Sequence, residues 1–279
     1  MKWLLLAALG VGVLNACVGP TQQPKASGSV RRVVSLVPSL TEDLFAIGAG
    51  AQVVGRSLAD EYPPQVKRLP AVSTFSSVDT ERIVQLHPNL VVGIPAQQKA
   101  TAPLRTAGVA TVLMADDSFA DLFADIAKLA ALTGHSNEAQ RLQERLRLRT
   151  RALQSAAHFR RPPSVLVVIN VQPIIVAGAA SYISHLVKLA GARNAAQGIL
   201  QSYPTLSAEA ILKMQPDAIV SDKQTNLRSV LQASPWRDLR AVAQNHIFII
   251  DPADTLERPG PRYNEGLSWL IARLKTMAS

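Results

Sequence analysis

The chain has 279 residues, one cysteine, and a net charge of +9 from 29 Lys and Arg against 20 Asp and Glu. A single cysteine excludes an internal disulfide, so the core must hold by packing. Aromatic residues make up 5% of the chain and do not interleave with the basic ones, which argues against a stacking platform for single-stranded nucleic acid. No nucleic-acid partner is expected.

Met1-Lys2 is a short basic start, and residues 3–14 form a mostly apolar run interrupted by Gly10 and Gly12. That run has signal-peptide length and is too short to span a bilayer as a helix. It ends in Leu14-Asn15-Ala16-Cys17, which fits the bacterial lipobox pattern. Residues 1–17 are therefore read as a lipoprotein signal and Cys17 as the lipidation site. Two or more acyl chains there would hold the chain durably on a membrane. Residues 18–29 are rich in Gly, Pro, Ser, Gln and Thr and read as a flexible tether. The expected location is the periplasm or the cell surface.

Roughly 250 residues remain, enough for two domains of ordinary size. They alternate short β-rich runs with helical patterns, the signature of α/β architecture. Residues 32–36 predict a strand. Pro38-Ser39 opens a helix over 41–47, closed by Gly48 and Gly50. A short strand (52–55), a helix (79–86) stopped by Pro88, and a buried strand (90–92) follow. Then come a helix (97–107), a strand (109–114) and a helix (118–132). Residues 136–158 contain no Gly or Pro and hold Leu142, Leu146 and Leu153 among their apolar positions, with Ser136 placed to cap the start. About 22 helical residues span about 33 Å, long enough to bridge two lobes. The Arg residues between positions 141 and 161 fall at helical spacing and read as a solvated face. After Arg161-Pro162-Pro163 the rhythm restarts: strands at 164–169 and 174–176, helices at 182–190 and 207–214, strands at 218–220 and 246–250, and a final amphipathic helix over 262–277. The lobes are thus expected at 30–135 and 161–279, with the bridging helix at 136–160.

The halves share a segment. Residues 78–92 align without gaps on 206–220, each with a helix cap, a Glu two residues on, and a Pro seven residues after the Glu before an apolar strand. The glutamates are Glu81 and Glu209, 128 positions apart. A carboxylate in a first helical turn is favoured by the macrodipole alone. The alternative is that each lobe presents an acidic knob to a basic partner.

Several segments carry a resemblance. Arg32-Val33-Val34-Ser35-Leu36-Val37-Pro38-Ser39-Leu40-Thr41-Glu42, Val54-Gly55-Arg56-Ser57, Tyr62-Pro63-Pro64, Ala177-Gly178, Leu189-Ala190-Gly191-Ala192-Arg193-Asn194 and Arg258-Pro259-Gly260-Pro261-Arg262 follow in order. So do Pro235-Trp236-Arg237-Asp238-Leu239-Arg240-Ala241-Val242 and His246-Ile247-Phe248-Ile249-Ile250-Asp251. Together they resemble periplasmic binding proteins of the cobalamin and iron-siderophore type, which serve ABC importers, over nearly the whole mature chain. The resemblance implies two Rossmann-like lobes joined by one long helix, an interlobe ligand cleft, and little movement on binding. It implies that Glu81 and Glu209 dock to arginines on the importer's membrane subunits. The chain is expected to act as a monomer and to carry its ligand as cargo, with no cofactor.

Cleft candidates are Pro38, Ser39 and Leu40 after the first strand, and Phe75 and Tyr203, one aromatic per lobe able to sandwich a flat macrocycle. Asp254, Glu257, Arg258 and Arg262 lie in or beside the late loop, although Arg262 has the alternative of pairing within its own lobe. Cobalamin is the expected ligand, with a ferric siderophore or heme as the alternative. His87, His135, His158, His185 and His246 are scattered without metal-ligand spacing, so no metal site is expected. Enzymatic activity is not expected either: dinucleotide, phosphate-loop and nucleophile-elbow motifs are absent.

Overall fold

A computed structural model describes residues 32–74, 76–115 and 118–277. Cys17, Phe75, the signal and the tether lie outside these residues. The first half runs β1 (Val33–Ser35), α1 (Pro38–Ala46), β2 (Val53–Ser57), β3 (Ala71–Ser73), α2 (Thr80–Gln85), β4 (Leu90–Gly93), α3 (Gln98–Thr106), β5 (Ala110–Leu113) and α4 (Phe119–Thr133). The helix α5 (Ser136–Ala156) leads to the second half. There follow β6 (Ser164–Val171), β7 (Ile174–Val176), α6 (Tyr182–Leu189), β8 (Arg193–Asn194), α7 (Ala208–Met214) and β9 (Ala218–Asp222). α8 (Arg240–Ala243), β10 (Ile247–Ile250), α9 (Asp254–Glu257) and α10 (Tyr263–Lys275) complete the order.

Each half builds its own sheet. The first is parallel throughout, in the order β3-β2-β1-β4-β5. The second runs β10-β9-β6-β7, parallel except for the antiparallel pairing of β7 with β6. β8 pairs in parallel with the start of β6 at Ser164 and Val165. The fold is therefore two α/β lobes joined by one long helix.

The core explains why the strand sequences are apolar at successive positions. Helices cover both faces, so alternate residues enter different clusters. Val33, Leu90, Val92, Val165, Val167, Ala218 and Val220 face one core, which runs through both lobes by way of Leu142, Leu146 and Leu153 on α5. Val34 and Val91 face a second cluster on the outer side of the first sheet, and Leu166, Val168 and Ile219 a third on the outer side of the second. The shared core makes α5 a structural strut.

The repeated segment folds alike in each lobe. Asp79 caps α2 by accepting from Arg82 N at 2.9 Å, and Ser207 caps α7 by accepting from Ala210 N at 3.2 Å. His87 (φ 47°) and Gln215 (φ 39°), 128 positions apart, both take the left-handed conformation just before the aligned prolines. β4 and β9 then pair in parallel with the first strand of their lobes. One expectation needs correction, and two short strands are additional to those expected. Ser136 is the first residue of α5; His135 holds the cap position without a side-chain bond, and the helix ends at Ala156. β3 and β8, of 3 and 2 residues, were not foreseen because so few residues carry no period.

Candidate functional site

The lobes meet at a buried polar clasp. Glu42, on α1, lies between the core residues Leu40 and Leu44 and is 5% exposed. Arg262, just before α10, reaches across and donates to it twice, from Nε to Oε2 and from Nη2 to Oε1, both at 2.7 Å. This fork-on-fork geometry is the strong form of the pair. Arg262 therefore pairs closely across the lobes with Glu42, and more loosely, at 3.8 Å, with Asp254 of its own lobe. Its guanidinium also sits 4.0 Å from the centroid of the Tyr62 ring. Burial alone would lower the Arg262 pKa, but the hydrogen bonds and charge of Glu42, with Glu265 and Asp254, outweigh it and raise it.

Around the clasp the site is rich in carboxyl groups. Asp254 lies 3.0 Å from Arg258 and 3.8 Å from Arg262. Glu257, one α9 residue before Arg258, has its pKa pushed up to about 8. Burial is the main cause; the neighbouring charge of Asp222, a hydrogen bond with it, and Asp254 add to it, and Arg258 offsets part. Glu257 is thus mostly a neutral acid at pH 7. Asp222 in turn accepts from Thr225 N and Oγ1, both at 2.8 Å.

From the first lobe, Asp60 faces Arg258. Its pKa is raised to about 6 by burial, against the lowering effects of Thr41, the Ser57 backbone, Arg56 and Arg258. Thr41 Oγ1 donates to Asp60 Oδ2 at 2.8 Å. At the clasp, Asp60 Oδ1 of the first lobe and Glu257 Oε1 and Arg258 Nη1 of the second are buried without a hydrogen-bond partner among the described residues. Such atoms are costly unless a ligand or water supplies a partner.

The expected cleft residues separate on inspection. Asp254, Glu257 and Arg258 lie at the clasp. Ser39 is 3% exposed and Leu40 0%. Leu40 belongs to the core and offers no surface to a ligand, so its expected contact role is corrected here. Pro38 is half-buried at the first turn of α1. Tyr203 is 48% exposed, on a segment held against β7 by Val176 N donating to Pro204 O at 3.3 Å and Gly178 N to Ser202 O at 2.8 Å. Glu81 and Glu209 are exposed in the first turns of α2 and α7. Glu209 carries a solvent-exposed ion pair with Lys213 at 2.8 Å. Among the described residues no cluster of three metal-binding side chains occurs, and no helix is long and apolar enough to cross a membrane.

Glu42, Asp60 and Asp222 were missed as site residues. Glu42 lies in a helix whose residues 39–44 are all buried, polar and apolar alike, and that enclosure leaves no signal in the sequence. A cavity of about 700 Å³ opens elsewhere, between α4, α5 and α6. The clasp remains the better candidate cleft, because Asp60 from one lobe and Asp254, Glu257 and Arg258 from the other converge on it.

Three comparisons place this architecture. The model of the family described as "Periplasmic binding protein" matches residues 33–253. The chain is 30% identical over 250 residues to an uncharacterized ABC transporter substrate-binding lipoprotein, YvrC, of Bacillus subtilis (strain 168), covering 86% of this chain and 78% of the relative. It is 31% identical over 242 residues to the vitamin B12-binding protein of Pectobacterium carotovorum subsp. carotovorum (strain PC1), covering 83% and 84%. Among solved structures, the periplasmic heme-binding protein RhuT from Roseiflexus sp. RS-1 in apo form superposes with a TM-score of 0.81 at 29% identity, covering 90% of this chain and all of the other (100%). The chain belongs to the periplasmic binding protein family and is a substrate-binding protein of an ABC importer.

Proposed function

We propose that the chain captures a corrinoid of the cobalamin class in the cleft at the Glu42–Arg262 clasp and delivers it to the membrane subunits of its importer. The observation that carries this is that two carboxyl oxygens at the clasp, Asp60 Oδ1 and Glu257 Oε1, one from each lobe, are buried without a hydrogen-bond partner among the described residues. A corrinoid is edged with primary amides, whose N–H groups fit such acceptors. Arg262 is held by Glu42, and Arg258 lies 3.0 Å from Asp254 although its Nη1 makes no well-aligned hydrogen bond. A dianionic ligand would meet a surplus of carboxyl oxygens and pay their repulsion. Pectobacterium relatives named for vitamin B12 binding support the same reading.

Heme is the second reading, favoured by the RhuT likeness and by two exposed phenols, Tyr62 and Tyr203. Calorimetric titration of a soluble chain beginning at Gly19 decides between them. Tight one-to-one binding of cyanocobalamin is expected; binding of hemin with none of cyanocobalamin would overturn the corrinoid reading.

Cys17 is proposed as the lipid anchor, holding the chain in the periplasm or at the cell surface. Glu81 and Glu209 are proposed to pair with basic residues of the importer. Exposed rim charges of this kind set register and on-rate more than affinity. Glu81→Ala with Glu209→Ala should abolish uptake while leaving ligand affinity unchanged. Intact uptake in that double variant would remove the docking role.

A further inference from the structure

The 700 Å³ cavity between α4, α5 and α6 has no part in the clasp; Tyr263, next to Arg262, is its only approach to it among the described residues. Its size lies within the range of small-molecule sites. Its walls are flat. Phe119 from the first lobe stacks on His185 from the second at 4.4 Å with an interplanar angle of 16°. Phe123 meets Phe119 edge-on at 5.4 Å. Burial, helped by Lys188, lowers the His185 pKa, so this ring is a neutral wall at pH 7.

The rim is basic. Arg147, Arg151 and Lys188 line the cavity, and none has an acidic partner among the described residues. Among the described residues, Arg147 donates to Gln143 at 3.1 Å and lies over the face of Phe123 at 4.5 Å. Asp116 and Asp117, next along the chain from Ser118, lie outside the described residues. We propose that this cavity is a second binding site, for a small flat aromatic anion. The ring of the ligand lies among Phe119, Phe123 and His185, and its charged group meets Arg151 and Lys188. A ligand there touches both lobes and the strut between them.

The test is calorimetric titration of the chain with 2-naphthalenesulfonate, and with 2-naphthalenemethanol as the uncharged counterpart. Arg151→Ala with Lys188→Ala is compared with Arg145→Ala with Arg149→Ala, which removes equal charge from α5 away from the cavity. Thermal unfolding checks that both variants are folded. Saturable one-to-one binding is expected, weakened at least about tenfold in the cavity variant and less than about twofold in the other, with the alcohol at least about tenfold weaker. Three results would each overturn the proposal: no saturable binding of the sulfonate, equal losses in the two variants, or equal binding of the alcohol. None of the substituted residues touches the clasp, so failure here is separate from failure of the corrinoid reading.

Discussion

Replacing Arg262 with Met isolates the cost of the clasp. The substitution keeps an apolar stem of similar length and leaves Glu42 as a carboxylate only 5% exposed, facing no guanidinium. Removing one partner of a buried pair costs about 3–5 kcal/mol, mostly the uncompensated charge. Losing the contact with the Tyr62 ring adds about 0.5–2 kcal/mol. The double variant Glu42→Gln with Arg262→Met loses the same ring contact but removes both charges, and replaces the charge penalty with only about 1–2 kcal/mol for a poorly paired amide. The double variant is therefore more stable than the single one by about 1–4 kcal/mol, because the ring contact is lost in both, and the Glu42→Gln chain completes the cycle that gives the coupling energy. Urea unfolding of the four chains at pH 7 measures this, provided the slopes agree. A single variant within about 0.5 kcal/mol of the parent, or a double variant no better than the single, would refute the argument. Because the pair joins the lobes, small-angle scattering should also show the single variant more open than the parent.

Stability should fall as pH rises from 6.5 to 8. Glu257, with a folded pKa of about 8 against 4.5, holds a proton that the unfolded chain has released, so the native state binds more protons across that window and loses stability through it. Asp60, raised to about 6 chiefly by burial, acts in the same sense at lower pH, and Asp125, raised to about 7, adds to the early part of the window, while the lowered pKa of His185 acts oppositely below 6.5. Glu257→Gln should flatten the profile between pH 6.5 and 8; a parent whose melting temperature is constant there would contradict it. Gly266→Ala should disturb stability and ligand binding together, because a Cβ there would stand 2.2 Å from Thr255 O and drive α9, with Asp254 and Glu257, off α10. Unchanged affinity in a folded Gly266→Ala chain would separate α9 from the site. Leu40→Ala should lose about 2–5 kcal/mol in urea unfolding with no change in affinity, since Leu40 is fully buried in the core. A selective loss of affinity would return Leu40 to the cleft.

Local chemistry alone determined most of the element order. The apolar runs at 33–36, 90–92 and 218–220 are strands because helices cover both faces, and the Gly- and Pro-free stretch from Ser136 is helical because nothing in it breaks the pattern. The duplicated segment was readable down to its caps, since Asp79 and Ser207 act on amides three residues away. What sequence could not decide is whatever depends on residues far apart in the chain meeting in space. Glu42 and Arg262 are 220 positions apart, and no period or motif relates them. The titration of Glu257 depends on Asp222, Asp254 and Arg258 being enclosed together, and enclosure is a property of the packed lobes. The basic face of α5 read as a solvated stripe, yet Arg147 and Arg151 border a cavity that exists only because α4 and α6 approach the strut from opposite lobes. Short-range rules set the elements; burial and long-range pairing set the site.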